Sequence, residues 1–357
     1  MAEDASRAAK KAAEWWVEAG IGETRAALIE GDRILEARIL PEGALLAGTI
    51  IEARLVARMP ERGQGVVAWA DGEALVAPLP VGVTQGALTL VEIVRPAISE
   101  PGKPKRALAR PATSTTVRAE PVEARPKNTL PSAELRTGID MLRANGAEGG
   151  RMLQFTDPDL LEAAGWSELL EQAATGAVNF SGGALDIAST PAMTVIDVDG
   201  ILSAPQLAVA GARAAAEAIR RLDITGSIGI DLPVSGDKAV RAAAAEAIDA
   251  VLPQPFERTA VNGFGFVQIV RRRTRHSLIE LYTSEPALAH ARALLRVAER
   301  TGGSGERTVT AHPAVIAEVE RRPAWVTELM RRLGVAVALR PDPRLAISAG
   351  HVQARHP

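Results

Sequence analysis

The sequence predicts a multidomain chain of mixed α+β and α/β class: a small closed β-barrel, an α/β core and a small C-terminal α/β unit. Three observations predict it. Residues 44–95 break into short runs of apolar residues, about five in number, separated by turn signals. From 151 onward, apolar runs of strand length alternate with alanine-rich stretches of helical length, the pattern of an α/β core. The length, 357 residues, holds two or three units of roughly 150 residues, and a composition of 47% hydrophobic and 24% charged residues is that of folded domains.

Residues 1–12 read as a disordered polar extension, and ordered structure is expected to begin near Glu14–Trp15. Residues 13–40 supply N-terminal strands that pack on the core; in Thr24–Leu40, Gly31–Asp32 is the turn between two alternating runs. Residues 41–97 form the barrel, with turns at 60–65, Asp71–Gly72 and Gly82–Gly86. Short strands so closely spaced suit an oligonucleotide-binding type of barrel, with an anonymous β-module as the plain alternative. Residues 98–150 are interrupted by Pro101, Pro104, Pro111, Pro121, Pro126 and Pro131 and read as a disordered linker or insertion. Within it, 115–146 resembles a translated interspersed repeat, which carries no chemistry; a basic arm contacting RNA is the alternative, diluted by Glu120, Glu123, Glu134 and Asp140.

Residues 151–275 are the α/β core. A helix is expected over Asp157–Ala174, with Leu160, Leu161, Leu169 and Leu170 on its buried side, then strands ALDIAS and MTVIDVDG after Gly182–Gly183. A long helix follows from about Ala204 to Leu222, a strand at Ser227–Leu232, a helix at Asp237–Val251 and a strand at Phe264–Val270. Residues 276–307 hold a helix (285–300) and a Gly-rich linker (301–307), and 308–357 read as strand, helix, strand, a docking or oligomerisation unit.

Several function classes are excluded. There is no cysteine, so disulfides, a thiol nucleophile and thiolate metal sites are absent. The five histidines show no metal-ligand spacing, so a metal here should be hard and oxygen-bound, Mg²⁺ or Mn²⁺ and not zinc. No nucleotide-binding glycine motif is present, and Ser181, Ser203 and Ser235 lack a histidine partner. No apolar run approaches the ~20 residues of a membrane span, and the start has no signal-peptide core, which points to the cytoplasm. Net charge is −2, yet only six of the 41 basic residues are lysine. Arginine suits bidentate phosphate contacts, although a codon bias towards arginine and alanine is the simpler account.

Two carboxylates stand out. Asp197 interrupts the apolar strand TVIDV and Asp231 ends the apolar strand SIGID. The carboxyl ends of core strands are where open α/β sheets place their sites. A shared divalent cation would offset the cost of carboxylates among valine and isoleucine. Asp199, two residues beyond Asp197, points to the same side of an extended strand and could bind or orient. Turn and cap roles are the alternative, since Asp199–Gly200 is a turn dipeptide. Arg271, Arg272, Arg273 and Arg275 follow FGFVQIV; alternation sends Arg271 and Arg273 to one face as an anion site, or the run is a charged edge that blocks strand pairing. Trp69 lies in the barrel and is either a base-stacking platform or core.

These residues carry a resemblance. SGGALDIASTPAMTVIDVDG (181–200), DITGSIGIDLP (223–233) and GFGFVQIVRRR (263–273) resemble, in order, the core signatures of the ribonuclease E/G family. GIGETRAALIEGDRILEARI (20–39), the barrel at 44–95 and the stretch 312–345 resemble the family's leading strands, its S1-type RNA-binding domain and its closing small domain. The resemblance implies a deoxyribonuclease-I-like, RNase H-like core in which Asp197 and Asp231 hold a catalytic Mg²⁺. It also implies an endoribonuclease that cuts single-stranded RNA to leave a 5′-phosphate and a 3′-hydroxyl, with Arg271 and Arg273 near the substrate backbone.

The chain departs from the family in several places. Asp199 stands where the family usually has asparagine, and ILSAPQ (201–206) replaces an arginine-containing stretch. The cysteine pair that links family members through zinc is missing, so any homo-oligomer forms without zinc. The region that senses a 5′-monophosphate is drastically shortened, and the barrel's aromatic RNA-facing positions fall at Val66 and Val76. The expectation is therefore a Mg²⁺-dependent endoribonuclease, with two alternatives: an RNA-binding scaffold of the same fold that has lost turnover, and a nuclease acting on DNA.

Overall fold

The computed structural model describes residues 13–70, 72–97, 105–112, 150–234 and 236–356. The 1–12 extension, Asp71, Ser235 and most of the 98–150 linker, including 115–146, lie outside the described residues.

The N-terminal strands are β1 (Glu14–Ala19), β2 (Glu23–Glu30) and β3 (Arg33–Pro41), antiparallel neighbours with the expected Gly31–Asp32 turn between β2 and β3. The barrel comprises β4 (Ile50–Met59), a short 3₁₀ turn at Pro60–Arg62, β5 (Gln64–Trp69), β6 (Gly72–Val76), β7 (Leu88–Arg95) and β8 (Ala107–Pro111). It closes in the order β4-β5-β6-β8-β7. The barrel boundary at 97 is therefore corrected: the fifth strand comes from the segment read as linker. In β8 only Ala107 and Ala109 face the barrel interior, so the strand carries little periodic signal of its own. A further strand, β9 (Gly150–Leu153), joins the N-terminal sheet as a parallel neighbour of β1.

The predicted helix over 157–174 is two helices, α1 (Leu160–Ala163) and α2 (Trp166–Thr175), separated at Gly165. The Asp159 side chain caps α1. Then follow β10 (Ala177–Phe180), β11 (Gly183–Ser189), β12 (Thr194–Gly200), α3 (Ala204–Arg221), β13 (Gly226–Asp231), α4 (Lys238–Val251), β14 (Phe256–Arg258) and β15 (Phe266–Arg271). The strands form one six-stranded sheet, β10-β11-β12-β13-β15-β14, in which only β12 and β13 run parallel. The long helix, the two central strands and α4 fall where the periodicity puts them; β10 and β14 are too short to announce themselves.

The core explains the alanine richness of α3. Leu185, Ile187, Ile196, Val198, Ile228, Ile230, Val267 and Ile269 form one apolar face of the sheet, and α3 lies against it. On its other side α3 meets β3, so Ala27, Ile29, Ile34 and Ala37 of the N-terminal sheet share the same core. A helix sandwiched between two sheets must be apolar almost all round, and small residues let both sheets approach. At Gly211 the approach is closest: a methyl there would fall 2.3 Å from Val198 Cγ1. Gly211→Ala is therefore expected to lower the melting temperature, because overpacking costs about 1–3 kcal/mol and outweighs the ~1 kcal/mol helix-propensity gain. A melt at or above wild type would contradict this packing.

The C-terminal part starts with α5 (Leu278–Ser284), closed by a Ser277/Glu280 capping box, and α6 (Pro286–Arg300). Then come β16 (Ser304–Ala311), α7 (Pro313–Glu320), α8 (Pro323–Leu333), β17 (Val337–Pro341) and β18 (His351–His356), with sheet order β17-β16-β18. The Gly-rich stretch 301–307 is only partly a linker: β16 begins inside it, and Arg307 donates to the carbonyls of Gly303 and Gly305. Among the described residues no helix is long and apolar enough to cross a membrane.

Candidate functional site

One face of the six-stranded sheet is packed by helices; the other carries the acidic residues. On β12, Ile196 and Val198 are buried, while Asp197 and Asp199 on the alternate face are exposed. On β13, Ile230 is buried and Asp231 is exposed at the strand's end. Asp197 and Asp231 are direct register partners on these two parallel strands. Register partners point to the same face, and neighbouring strands lie about 4.8 Å apart. The two carboxylates, thirty-four positions apart in the chain, thus meet side by side.

A third carboxylate extends the row. Asp186 on β11 is the register partner of Asp197 on its other flank, and it too is exposed. Asp199 is paired with Ala184 on the same face, one step toward the strand's carboxyl end. Like charges directly opposite one another on adjacent strands destabilise a sheet. Three such carboxylates stand in a row across β11, β12 and β13.

Asp186 was not among the residues the sequence singled out, but its position is readable. Thr190–Met193 is a four-residue turn between β11 and β12, closed by the Thr190 and Met193 backbones. Counting outward from it along both strands brings Asp186 opposite Asp197.

The donor chemistry fits a hard divalent cation. Every candidate ligand is a carboxylate oxygen, and Mg²⁺ is usually held by one or two carboxylates with water completing its shell. Among the described residues no group of three or more His, Asp or Glu is arranged to hold an ion unaided. A cation here would therefore take Asp197 and Asp231 and complete its shell with water or substrate oxygen.

The arginine run is mostly used internally. β15 ends at Arg271, whose guanidinium donates to the Ile224 carbonyl at 2.7 Å. Strand alternation puts Phe266 on the acidic face opposite Asp231, and hence Arg271 on the other. Arg271 and Arg273 therefore do not share a face as alternation over the whole run suggested, because Arg273 lies beyond the strand. Arg275 pairs with the fully buried Asp223, whose carboxyl burial pushes up while Arg275 and Arg38 pull it back down only in part.

Arg273 pairs with Glu280, and both line a groove of about 500 Å³ on the same domain. The groove runs toward the amino ends of β12 and β13 and is bordered by Arg95, Lys105, Met193 and Ser227. Lys105, at the foot of barrel strand β8, donates to the Pro191 carbonyl at 2.9 Å and ties barrel to core at this point.

In the barrel, Trp69 is half-buried at the end of β5, its ring against Gly72 and the barrel core. Val76 is fully buried in the barrel core with Val67 and Ala74, so the expectation that it faces RNA is corrected. Val66, the register partner of Leu75, lies on the opposite face of its strand from Val67 and is itself largely covered, at 7% exposure. No protein-family model matches the chain, and no curated protein matches it either.

Proposed function

We propose that the chain is a Mg²⁺-dependent endoribonuclease of the ribonuclease E/G type that hydrolyses single-stranded RNA, leaving a 5′-phosphate and a 3′-hydroxyl. The observation that carries this reading is the row Asp186–Asp197–Asp231 on adjacent strands of an otherwise helix-packed sheet. Like charges in direct register on adjacent strands oppose one another, and a divalent cation bound among these three exposed carboxylates would relieve that. The closed five-stranded barrel supports it, being the size of an S1-type oligonucleotide-binding domain. So does the groove at the amino ends of β12 and β13, whose lining includes Arg95, Lys105 and Arg273 together with Glu280.

In this reading Asp197 and Asp231 hold the cation, with Asp186 and Asp199 adding negative charge around it. When bound, Mg²⁺ supplies Lewis-acid polarisation of a phosphoryl group and a source of hydroxide at neutral pH. The chain's own contribution is positional. The sheet fixes the two aspartates side by side, and Arg95 and Lys105 at the amino ends of the same strands add positive potential that would favour a phosphate backbone on this domain.

The rival reading is an RNA-binding scaffold of the same fold. It is favoured by the arginines, since Arg271 and Arg275 are committed to partners within the chain. End-labelled single-stranded RNA incubated with and without Mg²⁺ separates the two. The nuclease yields 5′-phosphorylated fragments only with Mg²⁺, and a DNA strand of the same sequence competes weakly. Equal RNA binding with and without chelator, and no cutting in either, would establish the scaffold instead.

A further inference from the structure

We infer that Phe264 is a base-stacking platform beside the acidic row, holding a nucleobase of the single strand next to the phosphodiester presented to Asp197 and Asp231. The inference rests on the proposed nucleic-acid function and adds to it the residue that grips the substrate's base.

Phe264 is 82% exposed. Aromatic residues are scarce in this chain, with five phenylalanines, five tryptophans and one tyrosine. Placing one of them in water forgoes the burial that normally makes an aromatic side chain useful to a fold. The loop that carries it is built rather than loose. The Asn262 side-chain oxygen accepts the backbone N–H of Phe264 at 2.9 Å and of Phe266 at 3.1 Å. Gly265 has φ +89°, and a methyl there would fall 2.1 Å from the Leu232 carbonyl oxygen, so only glycine lets the turn close against β13. The Leu232 N–H in turn donates to the Gly265 carbonyl. A tight turn therefore fixes Phe264 at the end of β13, and Phe266, two residues on, is the register partner of Asp231.

Two other apolar side chains at the carboxyl ends of β12 and β13 are exposed as well. Ile201, at the end of β12, is 94% exposed, and Val234, just after β13, is 65% exposed. Phe264 thus stands at the same strand ends as Asp199 and Asp231, opposite in direction to the cationic groove, which lies toward the strands' amino ends. Phosphates along one side of the row and a base held at the other is the arrangement a single strand satisfies. A duplex keeps its bases stacked within itself and offers none. Stacking is indifferent to sequence because every base has a π-face, so Phe264 selects for single-strandedness rather than for a motif.

The test uses the full chain carrying Asp197→Asn and Asp231→Asn, which removes cutting and lowers the repulsion of the row. Binding of a fluorescent twelve-nucleotide oligoadenylate is read by anisotropy for this background alone and with Phe264→Ala, Phe264→Leu or Phe264→Trp. A second strand carries abasic sites throughout. Phe264→Ala and Phe264→Leu are expected to weaken oligoadenylate binding about tenfold, Phe264→Trp to retain it, and none of them to change binding of the abasic strand or the melting temperature. Oligoadenylate binding by Phe264→Ala within about twofold of the background overturns the inference. So does an equal loss on the abasic strand, or a change confined to self-association in sedimentation. Because the readout is binding, the stacking result stands even if the wild-type chain proves unable to cut RNA.

Discussion

Asparagine at either 197 or 231 is expected to reduce Mg²⁺-dependent cleavage by on the order of a thousandfold or more, while the fold is unharmed. The two side chains are register partners on β12 and β13 and both are exposed, so neither substitution touches the core beneath. Asparagine keeps the shape and removes the charge that a divalent cation requires. Removing one charge also relieves the repulsion within the row, so the melting temperature is expected to stay level or rise slightly. Loss of activity at constant or improved stability marks a residue kept for chemistry rather than for packing. Asp186→Asn, one strand removed from that pair, is expected to shift the Mg²⁺ dependence to higher concentration, with about a 10–100-fold loss that saturating Mg²⁺ partly restores. Initial rates across a Mg²⁺ titration, with thermal melts of each variant, check all three. Full activity in either Asp197→Asn or Asp231→Asn would overturn the assignment.

What the sequence made legible here is the part fixed by local periodicity. The apolar alternation of TVIDV and SIGID gives two strands, and the long alanine-rich stretch between them gives the crossover helix that parallel neighbours need. Once the strands are parallel neighbours, matching aspartates near their ends meet. Asp186 was harder because its significance depends on the hairpin register of β11 and β12, and no residue within ALDIAS itself announces it. The arginines after β15 show the limit of alternation. Period-two reasoning assumes the strand continues, and here it stops at Arg271, after which the charges find partners in Ile224, Glu280 and Asp223. Those partners are supplied by long-range packing, and composition carries no trace of them. The last barrel strand fails for a related reason. Ala107–Pro111 is five residues long and follows a proline-rich stretch, and only its parallel pairing with β6 and antiparallel pairing with β7 make it a strand.

Alanine at Glu18 is expected to be strongly destabilising, at about 3–5 kcal/mol. Glu18 lies on β1 at 1% exposure and accepts hydrogen bonds from Arg25, Arg296 and Arg300. Arg25 is itself fully buried; burial acts to lower its pKa, but Glu23 and Glu18 outweigh that and hold it above its ordinary value. Arg296 and Arg300 come from α6, and both also reach Asp159, the cap of α1. One carboxylate thus ties the N-terminal sheet, the start of the core and the C-terminal helices together. Without it, three guanidinium groups are left in the interior with Glu23, Asp159 and the half-exposed Glu162 as their remaining ion-pair partners. The penalty is the uncompensated charge, which is larger than the net worth of the ion pairs themselves. Glu18→Gln keeps the volume and one acceptor oxygen yet loses the charge, so it is expected to be destabilising too. A purely steric role for Glu18 would instead leave Glu18→Gln near wild type. Arg331→Ala provides the contrast: its pair with Glu328 sits on the surface, with the Arg331 side chain 64% exposed, and its loss is expected to leave the denaturation midpoint close to wild type. Chemical denaturation of the three variants checks the ordering. An unchanged midpoint for Glu18→Ala would mean that this buried network contributes nothing to holding the N-terminal sheet against α6.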